Sequence, residues 1–320
     1  MAVALVRMGK PQDAQGYIDT ALHVAASIQD KEDEARAYIL KGQVLSAGGH
    51  QIEAGEEVRK ALALAQDLGN TGIQSTALSN LAQYQAETDT GSALATYKKV
   101  LQLRRANGDP TAVATCLFNM GDVQYHRGEF DASEASYREA IKISTEQKDQ
   151  PGVALGFMSL AEINLERNRL SEAERQALDA LEKLKEAPDP NLESIADSVL
   201  LRVEVEAGKL SEAQRYADRI RQIASQDPDT SFENRMSLAT YLKATGHSTE
   251  AVQQIRSLPA EAKQRGSNFA ALEAELFLLE LEADGHTSAG ARKESLSSIR
   301  RRAERAGFGL LISRMAHVRV

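Results

Sequence analysis

Small and apolar positions recur along this 320-residue chain with two superimposed periods. Within a segment they fall four and seven places apart, as in Ala14, Ile18 and Ala21, Ala54, Val58 and Ala61, Ala93, Tyr97 and Val100, and Ser133, Tyr137 and Ala140. That spacing stacks them on one face of an α-helix. Between segments a turn position returns every 38–40 residues, at Gly9, Gly49, Thr88, Gly128, Asn168, Gly208, Gly246 and Gly285. A fixed period of this size predicts a solenoid of stacked helical hairpins, and no strand-like alternation competes with it.

The spacing about each turn predicts how the two helices of a hairpin meet. Five places after the turn stands a small residue, at Ala14, Ala54, Ala93, Ser133, Ala173, Ala213 and Ala251, with Ala291 one place further along. Seven places before it another small residue often stands, at Ala2, Gly42, Gly121, Ala161 and Ala239, and at Ala82 if the third turn is one residue short. Second-helix starts are expected at Asp131, Ser171, Ser211 and Thr249, with SEAE at 171–174 and SEAQ at 211–214 matching a capping box. Proline and glycine mark the joints between hairpins, at 107–110, 150–152, 188–190, 227–229 and Pro259.

A small residue, a turn glycine seven places on, an Ala five beyond and an aromatic four further resembles the tetratricopeptide repeat (TPR) in its longer, roughly 40-residue variety of bacterial signalling proteins and Pins-type adaptors. Leu117, Met120, Gly121, Gly128, Tyr137 and Ala140 of the fourth repeat carry the likeness best, with Ser133 where the family has Ala. Thr88, Asn168 and Leu201 depart from the pattern and question local geometry only. The resemblance implies an all-α fold, a right-handed α-solenoid of about eight antiparallel hairpins with a C-terminal capping helix. The repeats fall at about 1–30, 31–70, 71–108, 109–150, 151–188, 189–228, 229–264 and 265–306, and the cap over 307–320, as a single solenoid. Because Gly9 is already a turn, the register also suggests a fragment or C-terminal portion of a longer protein.

Composition narrows the function more than the fold. A net charge of −8 and a pI near 5.4 disfavour nucleic acid and anionic membranes as partners of the bulk surface. Residues 292–320 carry eight Lys/Arg against two Glu, which reads either as a docking patch or as solvated, dipole-matching side chains. The lone Cys116 sits among apolar helix positions, as a buried small side chain in a reducing, cytoplasmic compartment. No apolar run of about 18 residues spans a membrane.

Catalytic chemistry finds no footing, so the chain reads as a non-enzyme. Gly307-Phe308-Gly309 lacks the strand and third glycine of a dinucleotide fingerprint and reads as a helix break before the cap. The six histidines are scattered over different repeats, so neither a metal nor another cofactor is expected. A solenoid also holds residues apart roughly in proportion to their separation along the chain, which prevents a nucleophile–base pair from being assembled by spacing.

In such a superhelix the first helix of each hairpin lines the concave face. The TPR register places Asn80 and Gln83 of repeat three there, Phe118, Asn119, Asp122, Tyr125 and His126 of repeat four, Met158 and Glu162 of repeat five, and Arg202 of repeat six. Ser79, Glu87, Ser198, Met236 and Lys243 share the inward register. Phe118, Tyr125 and Met158 are its apolar spots. Asn80 and Asn119 are candidates to hold an extended peptide backbone, an amide being both donor and acceptor. The expected function is a non-enzymatic scaffold that binds a peptide or protein partner in this groove, with self-association into a homo-oligomer open. The alternative is the sensory or regulatory C-terminal region of a bacterial kinase or transcriptional activator that binds an effector.

Overall fold

The computed structural model describes residues 5, 11–223, 227–282 and 289–318. The described residues form helices joined by short turns. The hairpins run through α1 (Pro11–Ser27), then α2 (Lys31–Ala47) with α3 (Gln51–Asp67), and α4 (Thr71–Ala86) with α5 (Thr90–Ala106). Next come α6 (Pro110–His126) with α7 (Phe130–Glu146), α8 (Gln150–Glu166) with α9 (Leu170–Leu184), and α10 (Pro190–Glu206) with α11 (Leu210–Gln222). The chain continues through α12 (Pro228–Ala244), α13 (Ser248–Ile255), α14 (Leu258–Gln264), α15 (Asn268–Leu281), α16 (Ala289–Ala306) and α17 (Gly309–Met315). Successive helices pack on one another in chain order, giving the TPR-like solenoid. The repeat positions Ala2, Gly9 and Gly285 lie outside the described residues.

The fourth hairpin shows why its sequence is so restricted. A Cβ on Gly121 would stand 2.3 Å from the ring of Tyr137, so only glycine lets α6 and α7 approach at that point. Ser133 donates from Oγ to the Gly121 carbonyl at 2.8 Å, which satisfies the hydroxyl placed where the family has Ala. Asn168 takes a left-handed conformation in its turn (φ 54°), which Asn tolerates better than most side chains. Thr88 has no need of it, because α4 is one residue shorter than its neighbours and the turn closes from Asp89 N to the Gln85 carbonyl.

Helix starts differ from the sequence expectation. Ser171 and Ser211 make no capping boxes, and Asp131 and Thr249 are not caps. The tight turn delivers the chain into these second helices through Glu129, Arg169, Lys209 and His247, none of which caps with its side chain. Side-chain caps belong chiefly to the first helices, through Asp30, Asn70, Asp109, Asp149, Asp189 and Asp227. Pro259 also differs. It opens α14 and so divides the second helix of the seventh hairpin, while the joint to the next hairpin lies at Gly266 (φ 73°).

The eighth hairpin curls back onto the turns of repeats two to four. Ser267 fails to cap α15, and Glu87 does so from repeat three, its Oε2 accepting from Asn268 N at 2.6 Å and Phe269 N at 3.3 Å. Thr90 donates to the Ala306 carbonyl at 3.0 Å, and Gln51 Nε2 donates to the Gly266 carbonyl at 3.2 Å. The Gly307–Gly309 break is the centre of this contact. Phe308 is fully buried, and a Cβ on Gly309 would stand 2.2 Å from the Arg127 carbonyl oxygen. The short α17 then packs on α6.

Candidate functional site

Closure turns the concave face of repeats four to eight into a lumen. His126, at the end of α6, stacks on Phe269 with ring centroids 3.7 Å apart and meets the edge of Phe308 at 6.2 Å. Burial, and then the nearby Arg314 guanidinium, push its imidazole down to about 3, so it is neutral at physiological pH. This histidine faces inward and is covered by the chain's own C-terminal segment.

Beyond it lies a network of charges from five helices. The Tyr125 hydroxyl stands 3.2 Å from Glu162 Oε2 and 3.3 Å from Glu166 Oε1. Arg202 of α10 donates to Glu162 at 2.9 Å. Arg314 of α17 reaches back between Glu166 of α8 and Glu273 of α15. Burial works to raise the Glu166 carboxyl, but Arg314, Arg202 and the Tyr125 hydroxyl together outweigh it and hold it below the usual range. Glu233 of α12 faces the same network, with no hydrogen bond or ion pair among the described residues. Burial, and then the Glu273 and Glu162 carboxylates, push it up to about 8.

A cavity of about 1080 Å³ opens beside this network. Its charged wall includes Glu166, Arg202, Glu206, Glu233, Lys243, Glu273, Glu280 and Arg314, and its apolar wall includes Met236, Leu276 and Phe277. Lys243 lies over the Phe277 ring, 5.3 Å from its centroid, and pairs with Glu280 at 3.1 Å. A smaller cavity of about 500 Å³ lies between repeats two, three and eight, lined by Gln83, Tyr84, Glu87, Arg265 and their neighbours.

The sequence-selected residues divide between these places. Tyr125, His126, Glu162 and Arg202 come together in the lumen, and Gln83 lines the smaller cavity. Phe118 and Met158 are core residues and not the groove spots their register suggested. Phe118 packs among Leu117, Tyr137 and Leu160 at the seam with the next hairpin, and Met158 packs with Leu184 and Ala196. Ser198 is likewise buried, donating to Asn234. Asn80 is satisfied by its own chain, donating to the Thr76 carbonyl and accepting from Gln43 Nε2 at 3.2 Å. The exposed Asp122 accepts from Tyr137 at 2.6 Å, and Asn119 lies near the Tyr97 hydroxyl. Cys116 is buried, and burial pushes its thiol up to about 11.

Sequence reasoning missed Glu166, Glu233, Glu273, Arg314, Phe269 and Phe308. Glu166 was within its reach, standing at the register of His126 one repeat later. Arg314 was not, since its partner Glu166 lies 148 residues away. Among the described residues no group of three or more His, Cys, Asp and Glu is arranged to hold a metal ion, and no helix is long and apolar enough to cross a membrane.

No curated protein sequence matches the chain. The apo form of the quorum sensor NprR from B. thuringiensis shares its fold with a TM-score of 0.64 at 14% identity, over 95% of this chain and 85% of that one. A Rap protein complexed with competence and sporulation factor matches at 0.63 and 13%, over 99% and 97%. A signal-transduction ATPase with numerous domains from Pyrococcus horikoshii, which carries a tetratricopeptide repeat sensor, matches at 0.63 and 18%, over 86% of this chain. The chain spans 42% of the length of that ATPase. At such identities the likeness is one of fold. A tetratricopeptide repeat model matches residues 1–68, and the model of the MalT-like TPR region matches residues 39–313, so the chain belongs to the MalT-like TPR region family.

Proposed function

We propose that the lumen is a receptor surface for a peptide or protein segment, and that the chain works as a non-enzymatic, cytoplasmic interaction module. The observation that carries this reading is the cavity of about 1080 Å³ built almost wholly from the first helices of successive hairpins. Its mixed wall suits an extended peptide, with Met236, Leu276 and Phe277 for apolar side chains and charged groups to fix register. Support comes from neighbours of the same fold, NprR solved with its cognate peptide NprX and a Rap protein complexed with competence and sporulation factor.

A second reading, the sensory or regulatory region of a bacterial signalling protein, is favoured by the family match and by the likeness to a tetratricopeptide repeat sensor. Both readings use the same lumen.

The test is to pan a library of displayed peptides on the full chain and to compare the enriched binders on Met236→Trp, which narrows the cavity without altering a charge. The expected result is a loss of affinity of about tenfold or more, with helical circular dichroism unchanged. Absence of enrichment over a blank support, or equal binding to Met236→Trp, overturns the reading.

A further inference from the structure

The lumen's charges do not balance, and the imbalance identifies a ligand chemistry. Three internal cations are already committed: Arg202 to Glu162, Arg314 to Glu166 and Glu273, and Lys243 to Glu280. Glu233 stands among them on the wall of the cavity, with no ion pair and no hydrogen bond among the described residues. One helical turn further along α12, the fully buried Ser237 lines the same cavity with a hydroxyl that has no hydrogen-bond partner. A half-buried carboxylate and a buried hydroxyl, both unpartnered and on one helix face, are groups that folding leaves at a cost unless something else satisfies them.

The chain's own side chains show what the wall accepts. Arg314 enters the lumen from α17 and is held between two carboxylates, and Lys243 rests its ammonium over the Phe277 ring while pairing with Glu280. Carboxylates beside an aromatic face and an apolar floor form a seat for a cation on an aliphatic stem. We propose that the cavity receives an arginine or lysine side chain of a peptide ligand, its cation seated against Glu233. This deepens, and rests on, the reading of the lumen as a peptide receptor. Burial and then the facing carboxylates Glu273 and Glu162 raise the Glu233 carboxyl to about 8 against the opposing pull of Arg202 and Arg314, so a seated cation favours the ionised form and drives off its proton.

The experiment titrates the full chain with the blocked pentapeptide acetyl-Ala-Leu-Arg-Leu-Ala-amide, with its citrulline counterpart, which keeps the shape and removes the charge, and with spermidine. The arginine peptide is expected to bind about tenfold tighter than the citrulline peptide. Glu233→Gln, which keeps the side chain's shape, brings that ratio close to one, whereas Glu146→Gln on the exposed surface leaves it unchanged. Equal affinity of the two peptides for the wild-type chain overturns the cation seat and leaves the peptide-receptor reading standing. Failure of both peptides to bind at about 10 mM overturns both. Spermidine binding that depends on Glu233, without peptide binding, assigns the seat to a free polyamine and overturns the peptide as its occupant.

Discussion

The seam of the fourth hairpin and the lumen beside the eighth are built on opposite principles. Within the hairpin the seam's contacts join residues fewer than 20 places apart, as in Gly121 with Tyr137, between hairpins they reach the next repeat, as in Phe118 with Leu160, and one set of small and aromatic side chains serves hairpin after hairpin. In the lumen the decisive contacts cross the chain, as in Glu87 with Asn268 and Arg314 with Glu166, and each occurs once. The seam therefore carries stability that any one repeat expresses, and the lumen carries the closure that gives this solenoid its particular interior. A repeat array whose neighbours supply most of the stability can open at such a non-local contact without unfolding.

The largest expected effect tests which side of this division Phe118 belongs to. On the concave register it looks like a groove residue, yet it is buried against Tyr137 and Leu160. Phe118→Ala is expected to lower stability by about 3–5 kcal/mol in urea unfolding, the ordinary range for emptying a core aromatic site. Gln83→Ala, at an exposed position on the smaller cavity, should change it by less than about 0.5 kcal/mol. A Phe118→Ala chain of wild-type stability would return this residue to the groove.

A smaller effect, confined to the other region, follows from Arg314. Its removal leaves Glu273 without its guanidinium and Glu166 with only the more distant Arg202, at 3.9 Å. Breaking a fully buried ion pair costs about 3–5 kcal/mol. With roughly a quarter of the Arg314 side chain exposed the figure falls to about 2 kcal/mol, or some 30-fold in local opening. In amide hydrogen exchange, Arg314→Ala should deprotect 264–269 and 306–315 by that factor and leave α6 to α9 unchanged away from the contact. Uniform loss across all hairpins would mean that closure and stacking are one cooperative unit.

The same division explains what was legible in the sequence. Period and small-residue spacing reveal the hairpins because each repeat restates one local rule, and the departures resolve locally, Asn168 by a left-handed turn and Thr88 by a shorter helix. The capping boxes at Ser171 and Ser211 misled because motif matching ignores the turn that precedes them. Phe118 and Met158 misled because the inward register of a helix includes positions covered by the next hairpin. Tyr125, Glu162 and Arg202 were legible as luminal, but Arg314, Phe269 and Phe308 were not. The residues that close the lumen lie outside the repeat period, and the curvature that brings them to repeats three to five is the sum of many small rotations.

The smallest expected effect sharpens the comparison by its dependence on pH. Glu233 titrates near 8 in the folded chain and near 4.5 when exposed, so between those values the folded state binds the extra proton and its stability falls as pH rises. Groups of the opposite kind, such as Glu134 and Glu166, lie below their usual range and withdraw stability only as pH falls through their folded values. Glu233→Gln removes the first contribution without touching the second. The variant should therefore exceed wild type by about 1 kcal/mol at pH 9, a figure reduced for partial solvent access, with the difference shrinking towards zero by pH 5. Denaturant midpoints taken along the pH series read this directly. A pH-independent difference would mean that Glu233 acts through packing and not charge. A gap closed at pH 9 by the arginine peptide, but not by its citrulline counterpart, would show that the ligand supplies the charge this lumen lacks.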